Sequence, residues 1–137
     1  MMKWDKYVSM ISAALGAIVN HLWGGLDVMF GVLLLAMALD FVAGILCGVK
    51  DKKLDSQRAY LGITRKKMMI LIMVAVGVAV DKILNLEGTT RSLVIFYYFA
   101  MEGISILENA AKLDLPVPPK LKSILAQLQD KEEKVDG

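Results

Sequence analysis

The chain has 137 residues, 56% of them apolar and 22% charged, with a mean hydropathy of +0.54. Soluble domains hold roughly 45–50% apolar residues, and so short a chain has too little interior to hide the surplus, so the composition points to a membrane protein. The net charge of +2 gives no reason to expect nucleic acid as a partner, while one cysteine, Cys47, and one histidine, His21, exclude an internal disulfide and a His/Cys metal cluster.

A transmembrane helix needs about 20 mostly apolar residues, each adding about 1.5 Å against a hydrocarbon core of about 30 Å. The first apolar stretch, residues 7–23, carries Ser9, Ser12, Gly16 and Asn20 at helical spacing, a small and polar stripe on an otherwise apolar helix. Such a helix either spans, packing through its small face, or lies flat at the surface, and we read it as spanning. Asn20-His21-Leu22-Trp23 is no small-residue cleavage site, so the segment is expected to stay attached. The second stretch, 26–49, is unbroken from Val28 to Leu39, with Asp27 at its mouth and Asp40 inside. The third, 66–86, has its apolar core at Met68 to Val80 and continues through Asp81 and Lys82, the lysine snorkelling outward. In the fourth, 92–111, Tyr97, Tyr98 and the nearby Arg91 suit an interfacial belt, as His21 and Trp23 do on the first.

Pro116, Pro118 and Pro119 prevent this helix from continuing. Leu121, Ile124, Leu125 and Leu128 then follow helical spacing and predict a short amphipathic helix resting on the membrane or on a neighbour, before a charged end. The expected architecture is all-α, integral membrane helical hairpins with four transmembrane helices, or three if the first lies at the interface. Residues 1–112 form the transmembrane domain and 113–137 a cytoplasmic, Pro-containing, amphipathic and charged tail.

Lysine and arginine are unevenly placed. Two precede the first stretch (Lys3, Lys6), seven lie between the second and third (Lys50, Lys52, Lys53, Arg58, Arg65, Lys66, Lys67) and five follow the fourth, against Lys82 and Arg91 alone on the other side. The positive-inside rule puts both termini and the 50–67 loop in the cytoplasm of a bacterial inner membrane, with the seven-residue cluster setting topology and meeting anionic lipid. The tail stays cytoplasmic even if only three helices span.

Asp40 and Glu102 each sit about ten residues from a helix end and so near mid-depth, where an acid costs about 2.5–3.5 kcal/mol unless protonated, paired or facing water. They either glue helices together or control assembly and pore opening. Each belongs to a stripe: Ala36, Asp40, Ala43, Gly44, Cys47 and Gly48 on one helix, Tyr98, Glu102, Ser105 and Asn109 on another. Gly44 and Gly48 form a GxxxG spacing that lets two backbones approach, within one chain or between chains. Together with the first-helix stripe, these faces could line water if several copies assemble. No nucleophile stands with an evident base and no glycine loop cradles phosphate, so no enzyme activity and no cofactor are expected.

The chain resembles the phage holin family that includes the toxin-secretion holins of clostridia, over roughly residues 28–128. The resemblance is carried by Leu39-Asp40-Phe41-Val42-Ala43-Gly44-Ile45, by Ser56 and Gly62-Ile63-Thr64-Arg65-Lys66-Lys67, and by the later Glu102-Gly103, Ser105-Ile106-Leu107-Glu108-Asn109-Ala110, Leu115-Pro116-Val117-Pro118 and Leu121. It implies a homo-oligomer in the lipid bilayer of the cytoplasmic membrane that at a set time forms lesions releasing an endolysin or toxin as cargo. It further implies depolarisation on opening and leaves room for an antiholin partner. Two other readings stay open: a small proton-coupled four-helix transporter, against which the first stretch lacks an acid, and a membrane-anchored adaptor acting through its tail.

Overall fold

The computed structural model describes residues 2–51 and 56–136, with side chains described outside 49–51, 56–60, 129 and 131–136. Among the described residues there are five helices and no strands: α1 (Lys3–Trp23), α2 (Val28–Asp51), α3 (Ser56–Leu84), α4 (Thr89–Lys112) and α5 (Pro119–Asp136). Lys52 and Lys53, two of the expected topology residues, lie outside the described residues, as do the side chains of Lys50 and Arg58.

Each break between helices has a local cause. The first comes at Gly24, whose φ of +79° suits a residue without a Cβ and whose amide donates to Asn20 O. A side chain there would also collide with Arg91, whose Nε lies 2.7 Å from the Cβ position. Asp27 then starts α2, its Oδ1 accepting from the amide of Phe30 at 2.9 Å while its carbonyl accepts from Gly31. The turn from α3 to α4 holds three residues at positive φ, Asn85, Glu87 and Gly88. At the end of α4, Asp114 takes φ +62° and the amide of Leu115 reaches back to Ala110 O, closing the helix before the prolines. Pro119 is the first residue of α5, where its missing N–H costs nothing.

The third helix starts ten residues before the apolar stretch that announced it. Residues 56–65 mix polar and basic side chains with a few apolar ones and contain no proline, and hydropathy reads only where a helix is apolar throughout. Lys67, expected at the mouth of a helix, therefore stands three turns inside one.

The fourth helix is the centre of the bundle, packing against α2, α3 and α5, while α1 lies against α3 and buries none of its own residues. The core is a layer of Phe30, Leu33 and Met37 from α2, Ile70 and Val74 from α3, and Ile95 from α4. Trp23 closes its upper edge, stacking on Phe30 at 6.0 Å and donating its indole N–H to Leu71 O at 2.9 Å. Trp23→Phe keeps the stack and loses the donor, so unfolding in detergent should show a loss of about 1 kcal/mol; no change would mean that the indole bond does not fix α1 to α3.

Among the described residues, two helices are long and apolar enough to cross a membrane, at Val28–Gly48 and Thr89–Lys112. They run parallel and in register: Asp40 stands level with Glu102, and Cys47 Sγ donates to Asn109 O at 3.2 Å, both pairs 62 positions apart.

Candidate functional site

Among the described residues, two polar clusters interrupt the apolar bundle. At the end where α1 gives way to α2 and α3 to α4, Arg91 is buried and each of its three side-chain nitrogens donates a hydrogen bond. Its Nε donates to Trp23 O at 2.5 Å and its terminal nitrogens to Gly25 O at 3.1 Å and to both oxygens of Asp27 at 2.7 and 3.0 Å. One guanidinium thus satisfies carbonyls left open at the end of α1 and grips the capping residue of α2 in a two-pronged pair. The Arg91 guanidinium beside Asp27 holds its carboxyl below the usual carboxylate range.

The start of α4 is secured from α3. Gly88, the residue before the helix, has no side chain to cap it, and the buried Asp81 does so instead, accepting from the amides of Thr90 at 2.8 Å and Arg91 at 2.9 Å. Beside it Lys82 donates to His21 O at 2.9 Å, at the end of α1. Lys82 and Arg91, expected at an interface, therefore tie helix ends together.

The second cluster lies deeper. Lys67 of α3 reaches between α2 and α4 and donates its ammonium to Asp40 Oδ2 at 2.8 Å and to Glu102 Oε2. The three side chains are 17%, 15% and 8% exposed, so little solvent screens them. Asp40 Oδ1 is buried and makes no hydrogen bond among the described residues, and Ser105, one turn beyond Glu102, sits beside Asp40. With two carboxyls and one ammonium, the cluster carries one negative charge unless one carboxyl holds a proton. From Lys67 to Asp81 is 14 residues of one helix, so the clusters stand about 21 Å apart with the apolar core layer between them.

The structure thus brings Asp40 and Glu102 together and joins their two stripes within one chain. Lys67, expected among the basic residues that set topology and meet lipid, is turned inward as their shared partner. Its neighbours Arg65 and Lys66 remain exposed. A lysine as many residues from the start of α3 as Asp40 is from the end of α2 was the available signal, hidden because the helix began earlier than its apolar run. Gly44 has nothing within 4 Å of its Cβ position among the described residues. Ser9, Ser12, Gly16 and Asn20 are all exposed on α1 and join neither cluster. No group of three His, Cys, Asp or Glu among the described residues is placed to hold a metal ion.

The model of the bacteriophage holin family matches residues 17–130, which include both clusters. Among similar curated proteins, an uncharacterised 14.9 kDa protein encoded in the nagH 3' region of Clostridium perfringens is 39% identical over 128 residues, covering 92% of this chain and 96% of that protein. An uncharacterised protein of Listeria innocua is 39% identical over 125 residues, 88% of this chain and 89% of its own, and YqxH of Bacillus subtilis 30% identical over 113 residues, 82% and 79%. No solved structure is similar to it. The chain belongs to the bacteriophage holin family, whose members are membrane proteins that act as pores and not as enzymes.

Proposed function

We propose that the protein is a holin that accumulates in the bacterial cytoplasmic membrane as a four-span helical chain with both termini in the cytoplasm, oligomerises, and at a timed moment opens lesions that release an endolysin or toxin. The observation that carries this reading is the Asp40–Lys67–Glu102 cluster, set between three helices about 21 Å from the Arg91 clasp. With the clasp at the outer interface, that depth lies within the hydrocarbon core. Charged groups are costly there, and where they occur they mark the places at which helices pair or meet water.

Paired within one chain, the cluster is a latch that keeps the polar faces of α2 and α4 on each other. Parted, it gives a stripe of Asp40, Glu102, Ser105 and Asn109 that water can wet once several copies surround it. The membrane field acts on such a cluster, since a charge moved across the whole bilayer gains about 2.3 kcal/mol per 100 mV. The open face at Gly44 suits close approach of a second copy, and the Ser9, Ser12, Gly16 and Asn20 face of α1 offers a further contact. The basic residues from Lys50 to Lys66 hold the cytoplasmic side and fix the orientation, Lys67 being turned inward.

The test is inducible expression in a bacterium, following membrane potential and viable count with and without a cytoplasmic endolysin lacking its own export signal. Abrupt collapse of the potential after a delay, with lysis only when endolysin is present, is expected. Intact potential and continued growth at high expression would end the pore reading. In the same assay Asp40→Asn, which keeps shape and removes charge, should shift the moment of permeabilisation, and unchanged timing would reject an ionisation-dependent latch.

A further inference from the structure

The fifth helix, expected as a tail on the membrane or against a neighbour, is folded back along α4. Leu125 is buried on Gly103, with its Cδ atoms 2.9 and 3.0 Å from where a Cβ would stand, so the missing side chain is the notch that admits it. The helices run antiparallel. Leu121 shares an apolar groove of about 240 Å³ with Ala36, Leu39, Ile106 and Leu107, while farther along Leu128 lines a cleft of about 620 Å³ with Asp27, Val28 and Phe96, near the Arg91 clasp. The helix therefore climbs along the α2–α4 face from the level of Ile106, past Gly103, toward the Asp27 end.

This position conflicts with the surroundings that α2 and α4 require. Eight of the 18 residues of α5 are charged (Lys120, Lys122, Asp130, Lys131, Glu132, Glu133, Lys134 and Asp136), whereas Val28, Val32, Leu35 and Leu39 on the adjoining face of α2 are exposed and apolar. Lys120, Lys122 and Asp130 point to solvent. At the depth of Gly103, next to Glu102, charged groups facing hydrocarbon would cost several kcal/mol each. The docked helix and a lipid-facing α2–α4 pair cannot coexist, and the groove is already shown to accept a helix through leucines set against a glycine.

We infer that α5 is a removable strap: docked, it covers the α2–α4 face of the chain before that face meets lipid, and on leaving it lets the chain take up its four-span form and uncovers the Ala36–Leu39–Gly103 groove for a helix of a second copy. The inference rests on the assembly reading above and gives it a surface and a control. Release of α5 permits both burial of α2 and α4 in the bilayer and pairing of chains.

The experiment uses the full-length chain with Cys47→Ser, Gly103→Cys and Leu125→Cys, purified in detergent. Leu125 Cγ lies 3.6 Å from the Cβ position of residue 103, close to the reach of a disulfide. Oxidised and reduced samples are reconstituted into liposomes of bacterial phospholipid holding a self-quenched dye. Oligomers trapped by a lysine-reactive crosslinker and dye release are both followed. Ready formation of the disulfide, with oligomers and release reduced about tenfold when it is closed and restored by dithiothreitol, is expected, a size ordinary for coupling between two sites. Failure of the disulfide to form, or equal assembly of oxidised and reduced protein, overturns the strap. Leu125→Asp, which expels α5 without touching the groove, should advance assembly over the unsubstituted chain, and unchanged assembly counts against the strap as well. Oligomers that respond to the disulfide while no form of the protein releases dye would sustain the strap and refute the pore.

Discussion

Lys67→Met is expected to cost about 3–5 kcal/mol of unfolding free energy in detergent, because it leaves Asp40 and Glu102 facing each other with no cation between them. Methionine keeps the length and most of the apolar stem of lysine, so packing changes little and the loss reports the charge. The diagnostic result is the rescue. Adding Asp40→Asn and Glu102→Gln to Lys67→Met gives an uncharged cluster of similar shape, and it should recover most of the loss, since a neutral set buried in place of an ionic one is often as stable. Single acid substitutions and the Lys67 change should be strongly non-additive, as expected of groups that share one hydrogen-bonded network. Denaturant unfolding of the single, double and triple variants measures this. A Lys67→Met protein as stable as the parent, or a triple variant no better than the single, would mean that the three groups do not act as one latch.

That latch was half legible in the sequence. Asp40 and Glu102 stand out because acids are costly in apolar runs, and their spacing from the helix ends placed them at one depth. Lys67 did not stand out, because three consecutive basic residues at the edge of an apolar run read as a loop boundary, and hydropathy has no means of seeing that the helix had begun at Ser56. Similarly, Arg91 and Lys82 read as interfacial from their place near helix ends. Their actual task, satisfying carbonyls at the end of α1, depends on which ends the fold brings together. The apolar stretches did predict helices with small errors at most ends, since length and apolarity are local properties. Leu121, Leu125 and Leu128 marked an amphipathic helix correctly in kind. What the leucines would meet was not local information: the notch that receives Leu125 is a glycine 22 residues earlier, and glycines are common in membrane helices.

The Arg91 clasp makes the other large prediction. Arg91→Leu removes four hydrogen bonds at once, leaves Asp27 without its partner and strands the carbonyls of Trp23 and Gly25. A loss of about 2–3 kcal/mol is expected, the cost of buried groups deprived of a charged donor. Asp81→Asn, by contrast, keeps one carbonyl oxygen to accept from the first turn of α4, so it should cost about 1 kcal/mol or less. The order of the two variants tests whether the guanidinium or the cap is the principal joint. The pH dependence separates them further. Asp27 titrates below its ordinary value in the folded chain, so the unfolded chain takes up the proton first, and the contribution of the pair is complete above the ordinary carboxylate range and fades as the pH falls. Arg91→Leu should therefore flatten the acid arm of the stability curve, by a small amount because Asp27 is half exposed, whereas Asp81→Asn leaves the Asp27 part of that arm in place. Hydrogen exchange gives the spatial counterpart: with Arg91 replaced, protection should fall first at the end of α1 and the start of α2, while the Asp40–Lys67–Glu102 layer about 21 Å away stays closed. Loss of protection at both levels together would show that clasp and latch open as one, and the two clusters would then have to be treated as a single switch.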